Sequence, residues 1–562
     1  MKKSLIFVFL PVVAATVARA DLFDAPFGYY SSTSGLSGAA LKTALHDIID
    51  GHTIVSYSNA RYALQMTDQD PANRDRLILF YDNTPLNLIG LSSSGINGWD
   101  AGVSWQREHT WPQSRQITTQ GASTSTGADY SDLHMLRPAG SSNQERGNAN
   151  YGGTGTVPGI VAGGFYFPGN VHKGEAARGA FYATVRYDGT DASTTNLELQ
   201  NGNPAANQAL MGDLASLLRY HYEDPVDTRE RRRNDLIFRP DNWTNRPTNW
   251  NGAASYTQGN RNPFVDQPEY VWAVFGGFAN DSRISVATPV ADGSSSRGVD
   301  FGRVIVGTGV GTLSQSVTLT KDGVAPTYYE VTATGGASSS LLGRYNAFTF
   351  NPATASATVS LTPSTATLGL RSGQIRIDNL DLTTSAGGRG AADADDIINL
   401  SLAVVARSEA SLSPSSNLDT LQLDLGTVDL GATATRSLWL HNLVALAGFT
   451  AALDVDAVSL APSPGASLFG CGPIGDFSTT LATFSNLSAG TSTSFDIAFT
   501  PSQVGTFSAI LTLLVSDENI PGAGPGTPLT VNLTGLGIVV IPEPAAALPI
   551  ALGAVFLGRR RR

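Results

Sequence analysis

At 562 residues the chain is three to four times the usual length of one domain, which excludes a single compact core and implies roughly three domains. Its composition, 41% hydrophobic and 15% charged with 59 Gly and 29 Pro, excludes a coiled coil or a disordered polyelectrolyte and fits a loop-rich globular protein. A formal charge of −11 leaves no overall basic footprint for a nucleic-acid partner, and the lone Cys471 excludes an intramolecular disulfide or a cysteine-built zinc or iron–sulfur site.

The N-terminus reads as an address. Lys2 and Lys3, the apolar run Leu5–Ala15 and Ala18-Arg19-Ala20 follow the order of a secretory signal over residues 1–20, so export is expected. Residues 21–285 mix helical and irregular signals. Ala39–Ile49 and Asn207–Tyr222 space apolar residues by three and four, which predicts amphipathic helices. After Ser285 the pattern becomes alternating: SQSVTLTKD, TYYEVTATG, RSGQIRIDN and INLSLAVVA, then TSTSFDIAFT and FSAILTLLV.

A weak repeat runs through that region. Asp300–Gly307 (DFGRVIVG) parallels Asp424–Gly431 (DLGTVDLG), and LTPS before one strand pair parallels FTPS before another. The spacing predicts two immunoglobulin-like all-β sandwiches, residues 286–408 and 409–538, after an α+β domain. The repeat loosely resembles choice-of-anchor-D and ASPM-like modules, which implies cell-surface or matrix association. His441 and Cys471 stand isolated there, without a partner for chemistry.

Residues 539–562 close the chain with Pro542-Glu543-Pro544, an apolar stretch and Arg559 to Arg562. The stretch is short for a membrane span of about 20 residues, with its arginines on the side the positive-inside rule demands. The order resembles the PEP-CTERM sorting signal of Gram-negative bacteria. That resemblance implies transient inner-membrane anchoring, removal by an exosortase-type enzyme, and a final place at the cell surface or outside. Loss of both signals would leave the mature chain more acidic, at about −18.

Chemistry concentrates between residues 105 and 151. Trp105-Gln106-Arg107-Glu108-His109-Thr110-Trp111-Pro112 sets a carboxylate beside an imidazole. Asp132-Leu133-His134-Met135-Leu136-Arg137-Pro138 continues through Asn143, Arg146, Asn148 and Tyr151. Further on come EDPV at Glu223–Val226, ERRRND at Glu230–Asp235 and QGNRNPFVDQPE from Gln258. These ordered blocks resemble the endonuclease I family of ββα-metal, or His-Me finger, nucleases over roughly residues 25–285. The resemblance implies an exported Mg²⁺-dependent, largely non-specific endonuclease acting on DNA or RNA, with Mn²⁺ or Ca²⁺ as substitute ions.

The residues suit that chemistry. Phosphodiester hydrolysis requires a deprotonated water and cancellation of phosphoryl charge. A neutral imidazole serves the first task, making His109 the expected general base. Mg²⁺ takes a carboxylate and an amide oxygen while keeping waters, so Glu108 and Asn143 are the expected ligands, with Asn148 as a further amide beside them. Arg137 and Arg146 are the expected phosphate clamp, alongside Arg107 and Arg115, since guanidinium matches phosphate bidentately. His134 is expected to support the site, and Arg231, Arg232 and Arg233 to be a solvated helix face or a DNA track. Neighbours on a regular strand face opposite ways, so Glu108 and His109 are expected at an irregular strand end and Asn143 at a helix start. A contrasting reading makes the chain an adhesion or matrix-binding protein with an inactive nuclease-like domain. The presence of Glu108, His109 and Asn143 together argues for the enzyme.

Overall fold

The computed structural model describes residues 22–115, 129–189, 195–381, 393–463 and 476–540. Apart from residues 539 and 540, both expected sorting signals lie outside these residues, as does Cys471. A mixed helix and short-strand domain comes first, followed by a large all-β region of several sheets.

Helix α1 (Gly38–Ile49) buries Leu41, Leu45 and Ile49, the stripe its apolar spacing predicts. Helix α2 (Ala60–Thr67) lies over a second cluster containing Leu64, Met66, Trp105, Leu133, Leu136, Leu236 and Trp243. Strand β1 (Gln106–His109) pairs antiparallel with β2 (Leu136–Ala139), and the short helix α3 (Ser142–Arg146) follows at once. Fully buried Trp105 and Trp111 bracket β1; their indole N–H groups donate to the carbonyls of Gly98 (2.9 Å) and Arg115 (3.3 Å).

Helix α4 (Lys173–Arg186) is buried along its whole length and forms the axis of the main core. Its charged residues are tolerated there because each is paired: Lys173 with Glu223, Glu175 with Arg137 and Arg229, Arg178 with Glu230, and Arg186 with Asp50. Gly174 is required for contact with the next element, since a Cβ would sit 2.0 Å from the Asp224 carbonyl. Helix α5 (Leu214–Glu223) is shorter than its sequence pattern predicts. Asn207 adopts φ 64°, and Leu210–Met211 pairs as a strand with Glu198–Leu199 instead. The helix begins only where Asp213 caps it by accepting from Ser216 N (3.1 Å). Helix α6 (Thr228–Phe238) is capped in the same way by Asp227, which accepts from Glu230 N (2.7 Å).

Chain contacts divide the molecule into two units. The first comprises Met1–Gly298, Ser314–Ser360 and Gln374–Asn399; the second comprises Val299–Leu313, Leu361–Gly373 and Leu400–Arg562. In the first, strand Thr327–Thr334 packs on the helical domain, where Tyr328 joins Tyr222 and Trp272 and donates its hydroxyl to the His221 carbonyl (2.9 Å).

The repeat legible in the sequence corresponds to a repeated topology. A four-stranded sheet in the order Arg283–Ser285, Leu313–Asp322, Ala353–Leu361, Ala337–Ser339 accompanies a five-stranded sheet in the order Ser296–Ile305, Asp396–Val405, Gly369–Asn379, Thr327–Thr334, Gly343–Phe348. The same order recurs as Ala410–Ser411, Ala434–Asn442, Ser492–Phe499, Phe477–Thr479, with Thr420–Asp429, Leu529–Ile538, Gly505–Asp517, Leu453–Pro462, Phe484–Leu487. Local details recur too. Asp300 and Asp424 each accept from the amide two residues on, at Gly302 (3.0 Å) and Gly426 (2.9 Å), where φ is 84° and 80°.

Candidate active site

The ladder between β1 and β2 is unbroken: Gln106 faces Ala139, Arg107 faces Pro138, Glu108 faces Arg137 and His109 faces Leu136. Alternation therefore sends Gln106 and Glu108 to one side of the strand and Arg107 and His109 to the other. Glu108 and His109 do sit at the strand end, but that end is regular. The expected local irregularity is absent.

On the first side, Oε1 of the buried Glu108 accepts from the Tyr81 hydroxyl (2.6 Å) and from Arg146 Nη1 (2.6 Å). Tyr81 also hydrogen-bonds the Tyr151 hydroxyl (2.6 Å), and Arg146 lies 4.2 Å above the Tyr151 ring. Tyr81 holds φ 71°, a conformation costing a non-glycine residue about 1–3 kcal/mol, which places local strain at the site. Burial pushes the Glu108 carboxyl up, against the opposing pull of Arg146 and Tyr81. Asn143, the second residue of α3, donates Nδ2 to Gln106 Oε1 (2.9 Å), and Gln106 is itself oriented by donation to the Gly102 carbonyl (3.3 Å). Among the described residues no side-chain hydrogen bond involves Glu108 Oε2 or Asn143 Oδ1, and the His109 backbone amide adds a further donor to the Glu108 carboxylate. A carboxylate oxygen and an amide oxygen are thus left available on one side of β1, a donor set that suits a hard divalent cation. Among the described residues no group of three His, Cys, Asp or Glu offers a denser metal site.

On the other side, His109 Nε2 lies 2.9 Å from the Tyr130 carbonyl. A carbonyl only accepts, so Nε2 carries the proton and Nδ1 keeps the lone pair. Desolvation brings the imidazole down to about 4, with the Tyr130 contact opposing it, so the ring is neutral at ordinary pH. Tyr57 stacks on it at 5.8 Å and Tyr130 lies at 4.5 Å.

Several expected roles are corrected. Arg146 is buried and holds Glu108 together with the carbonyls of His109 (2.6 Å), Thr110 (2.9 Å) and Ala149 (3.2 Å), so it positions the carboxylate rather than clamping phosphate. Arg137 is likewise buried, bonded to Asp68 (3.1 Å) and Glu175 (2.9 Å). Freeing it would take one guanidinium away from two buried carboxylates, leaving Asp68 to Arg233 and Glu175 to Arg229. Arg115 turns inward to the carbonyls of Asn148, Pro204, Ala205 and Leu210. Asn148 is exposed beyond the helix end and contributes its backbone carbonyl to Arg115; Asn143 is the amide held beside β1.

The remaining motif residues form the scaffold. His134 is buried against Tyr182, and desolvation brings it down to about 3. Arg233 ties α6 to the β pair by donating to the carbonyls of Leu133 (2.6 Å) and Leu136 (2.7 Å) while pairing with Asp68. Arg231 pairs with Asp24, and Arg232 holds the Met66 carbonyl and Gln69, so this run is neither a solvated face nor a DNA track. Gln258 fixes the backbone of Leu133, and Arg261 braces Asp235 and Asp266. Tyr81, Gln106 and Tyr57 were not legible as site residues; Tyr57 and Tyr81 lie far upstream of the motif with no spacing that marks them.

Against known proteins, the endonuclease I family model matches residues 37–269. An extracellular ribonuclease of Bacillus amyloliquefaciens is 38% identical over 248 residues, covering 43% of this chain and 76% of the relative. An extracellular ribonuclease of Bacillus subtilis (strain 168) is 37% identical over 250 residues, with the same 43% and 76% coverage. A PapD-like domain of human CEP192 aligns to 24% of this chain and 87% of its own at 16% identity, with a TM-score of 0.19. The first domain is therefore of the nuclease class. The chain belongs to the endonuclease I family.

Proposed function

We propose that the protein is an exported, Mg²⁺-dependent, largely sequence-independent endonuclease that hydrolyses phosphodiesters of RNA and DNA. The observation supporting this reading is the pair of uncommitted oxygens, Glu108 Oε2 and Asn143 Oδ1, at a strand end that also bears a neutral imidazole with Nδ1 unprotonated. In this reading β1, β2 and α3 are the ββα finger. Among the described residues β1 pairs only with β2, so its free edge is where groups from both faces can meet one phosphate.

Glu108 and Asn143 would hold the ion, which when bound supplies charge cancellation at the phosphoryl oxygens. His109 Nδ1 takes the proton from the attacking water, while the Tyr130 carbonyl holds the opposite nitrogen and fixes the tautomer. Arg146 and Tyr81 keep the carboxylate aimed by occupying its other oxygen. A water nucleophile makes no use of a ribose 2′-hydroxyl, which is why both nucleic acids are proposed substrates. The relatives' description as extracellular ribonucleases supports export and RNA as a substrate.

The repeated β modules are read as immunoglobulin-like anchors, and the terminal Pro-Glu-Pro segment as the exosortase signal that leaves the enzyme outside the cell. The deciding experiment incubates the purified protein with plasmid DNA and with RNA in Mg²⁺ or EDTA, alongside His109→Ala. Cleavage by the parent in Mg²⁺ alone, and its loss in the variant, is expected. Intact substrates with the parent, or equal cutting by both proteins, would overturn the reading.

A further inference from the structure

On the His109 side of β1 two guanidiniums converge on a single indole. Arg61 of α2 lies 5.6 Å from the Trp99 ring and Arg107 lies 5.4 Å from it; Arg107 also covers Tyr57 at 3.4 Å. Tyr57 in turn stacks on His109. Arg107 is two residues before His109 on the same strand face, about 6.6 Å along the chain.

The surroundings make this pair unusual. Most arginines of the first domain sit against carboxylates, as Arg137, Arg178, Arg229, Arg233 and Arg261 do. Among the described residues neither Arg61 nor Arg107 has an ion-pair partner, in a chain with 47 acidic residues. Asp100, next to Trp99, is bound by the backbone amides of Val103 (3.2 Å) and Ser104 (2.9 Å). Among the described residues the Arg61 side chain hydrogen-bonds only Ser58, donating to its carbonyl (2.9 Å) and its hydroxyl. Arg107 donates to the Tyr57 carbonyl, and its buried Nε has no partner. Both side chains are partly exposed, so their remaining N–H groups can meet a ligand.

We infer that Arg61 and Arg107 form a phosphate subsite that holds the nucleic-acid strand beside the bond being cut. This rests on the nuclease reading above. Two like charges held on one ring without a counter-ion repel each other. A phosphodiester removes that repulsion, whereas a neutral ligand would not. Trp99 and Tyr57 keep both forks extended, so little rotamer entropy is lost on binding. The subsite also replaces the clamp that Arg137 and Arg146 cannot form.

The test uses the full chain and a fluorescein-labelled single-stranded oligonucleotide, as DNA and as RNA. Anisotropy in EDTA gives Kd and its salt slope, and Mg²⁺ assays give KM and kcat. Arg61→Gln and Arg107→Gln should each raise Kd and KM about tenfold with kcat nearly unchanged. Each should flatten the slope of log K against log salt by about 0.7. Arg61→Lys should restore the slope, which a packing role would not allow, and the exposed Arg74→Gln should leave it unmoved. If the parent binds and cuts while the Gln variants keep its KM and slope, or if Arg61→Lys fails to restore the slope, the subsite is overturned and the nuclease reading stands. A parent that neither binds nor cuts overturns both.

Discussion

At the residue scale, geometry separates three kinds of polar side chain that the motif presents as equivalent. Glu108 and Asn143 keep an oxygen uncommitted, His109 keeps a lone pair, and Arg137 and Arg146 keep almost nothing. Asn143→Ala should therefore reduce Mg²⁺-dependent cleavage by about 100-fold or more, with a weaker response to Mg²⁺ titration, whereas Asn148→Ala should cut as the parent does. Equal losses in the two variants would reverse that assignment. Arg146→Met leaves Glu108 buried beside Tyr81 without its counter-charge. It should lower stability by about 3–5 kcal/mol as well as activity. Arg137→Met should lower the melting temperature with KM unchanged; a raised KM at parental stability would return Arg137 to the substrate.

At the element scale, the ordered sequence blocks that mark the family are largely joints between elements. Arg233 joins α6 to β2 through two carbonyls, and Gly174 lets α4 approach the Asp224 carbonyl closely. Gly174→Ala should unfold the domain or lower its melting temperature by well over 5 °C in calorimetry, because the obstacle is backbone and cannot swing away. In the β region, burial holds the Asp396 carboxyl up to about 7, with Asp393 and Asp395 adding repulsion while Ser295 opposes the shift. The unfolded chain ionises this group near 3.8, so its contribution to stability is fullest below that pH. It is lost as pH rises toward 7 and is level above. The melting temperature should fall between pH 4 and 7, and Asp396→Asn should flatten that fall. An unchanged pH profile in the variant would exclude this carboxyl as its source.

At the scale of the whole molecule, the sequence boundary near residue 285 is not where the contacts divide. The first unit carries Ser314–Ser360 and Gln374–Asn399 with the helical domain. Tyr328 covers Tyr222 and Trp272, and Arg344 bonds Glu269. A chain ending at Ser285 exposes those aromatics and strips a buried carboxylate of its partner. It should melt several degrees lower than the full chain and bind a hydrophobic dye; equal melting would show that the strands are dispensable. The net charge of −11 adds a long-range repulsion of nucleic acid that salt screens, so association should weaken with salt only as far as the few local arginines set, by about 0.7 in the logarithmic slope for each phosphate contact on a single strand.

The sequence by itself determined the order of elements, the change from helical to alternating pattern and the repeat, and it put forward Glu108, His109 and Asn143 as candidates for one site. Those features are local or motif-borne: periodicity follows from 3.6 and 2 residues per turn, and ordered blocks survive as strings. Tertiary structure alone decided which arginines are free. A guanidinium becomes committed when a carboxylate from a distant element reaches it, as Asp68 and Glu175 reach Arg137. Nothing in the spacing of the string records that approach. The same holds for Tyr81 and Gln106, which orient the site across the chain, and for Arg61, brought over Trp99 by the packing of α2.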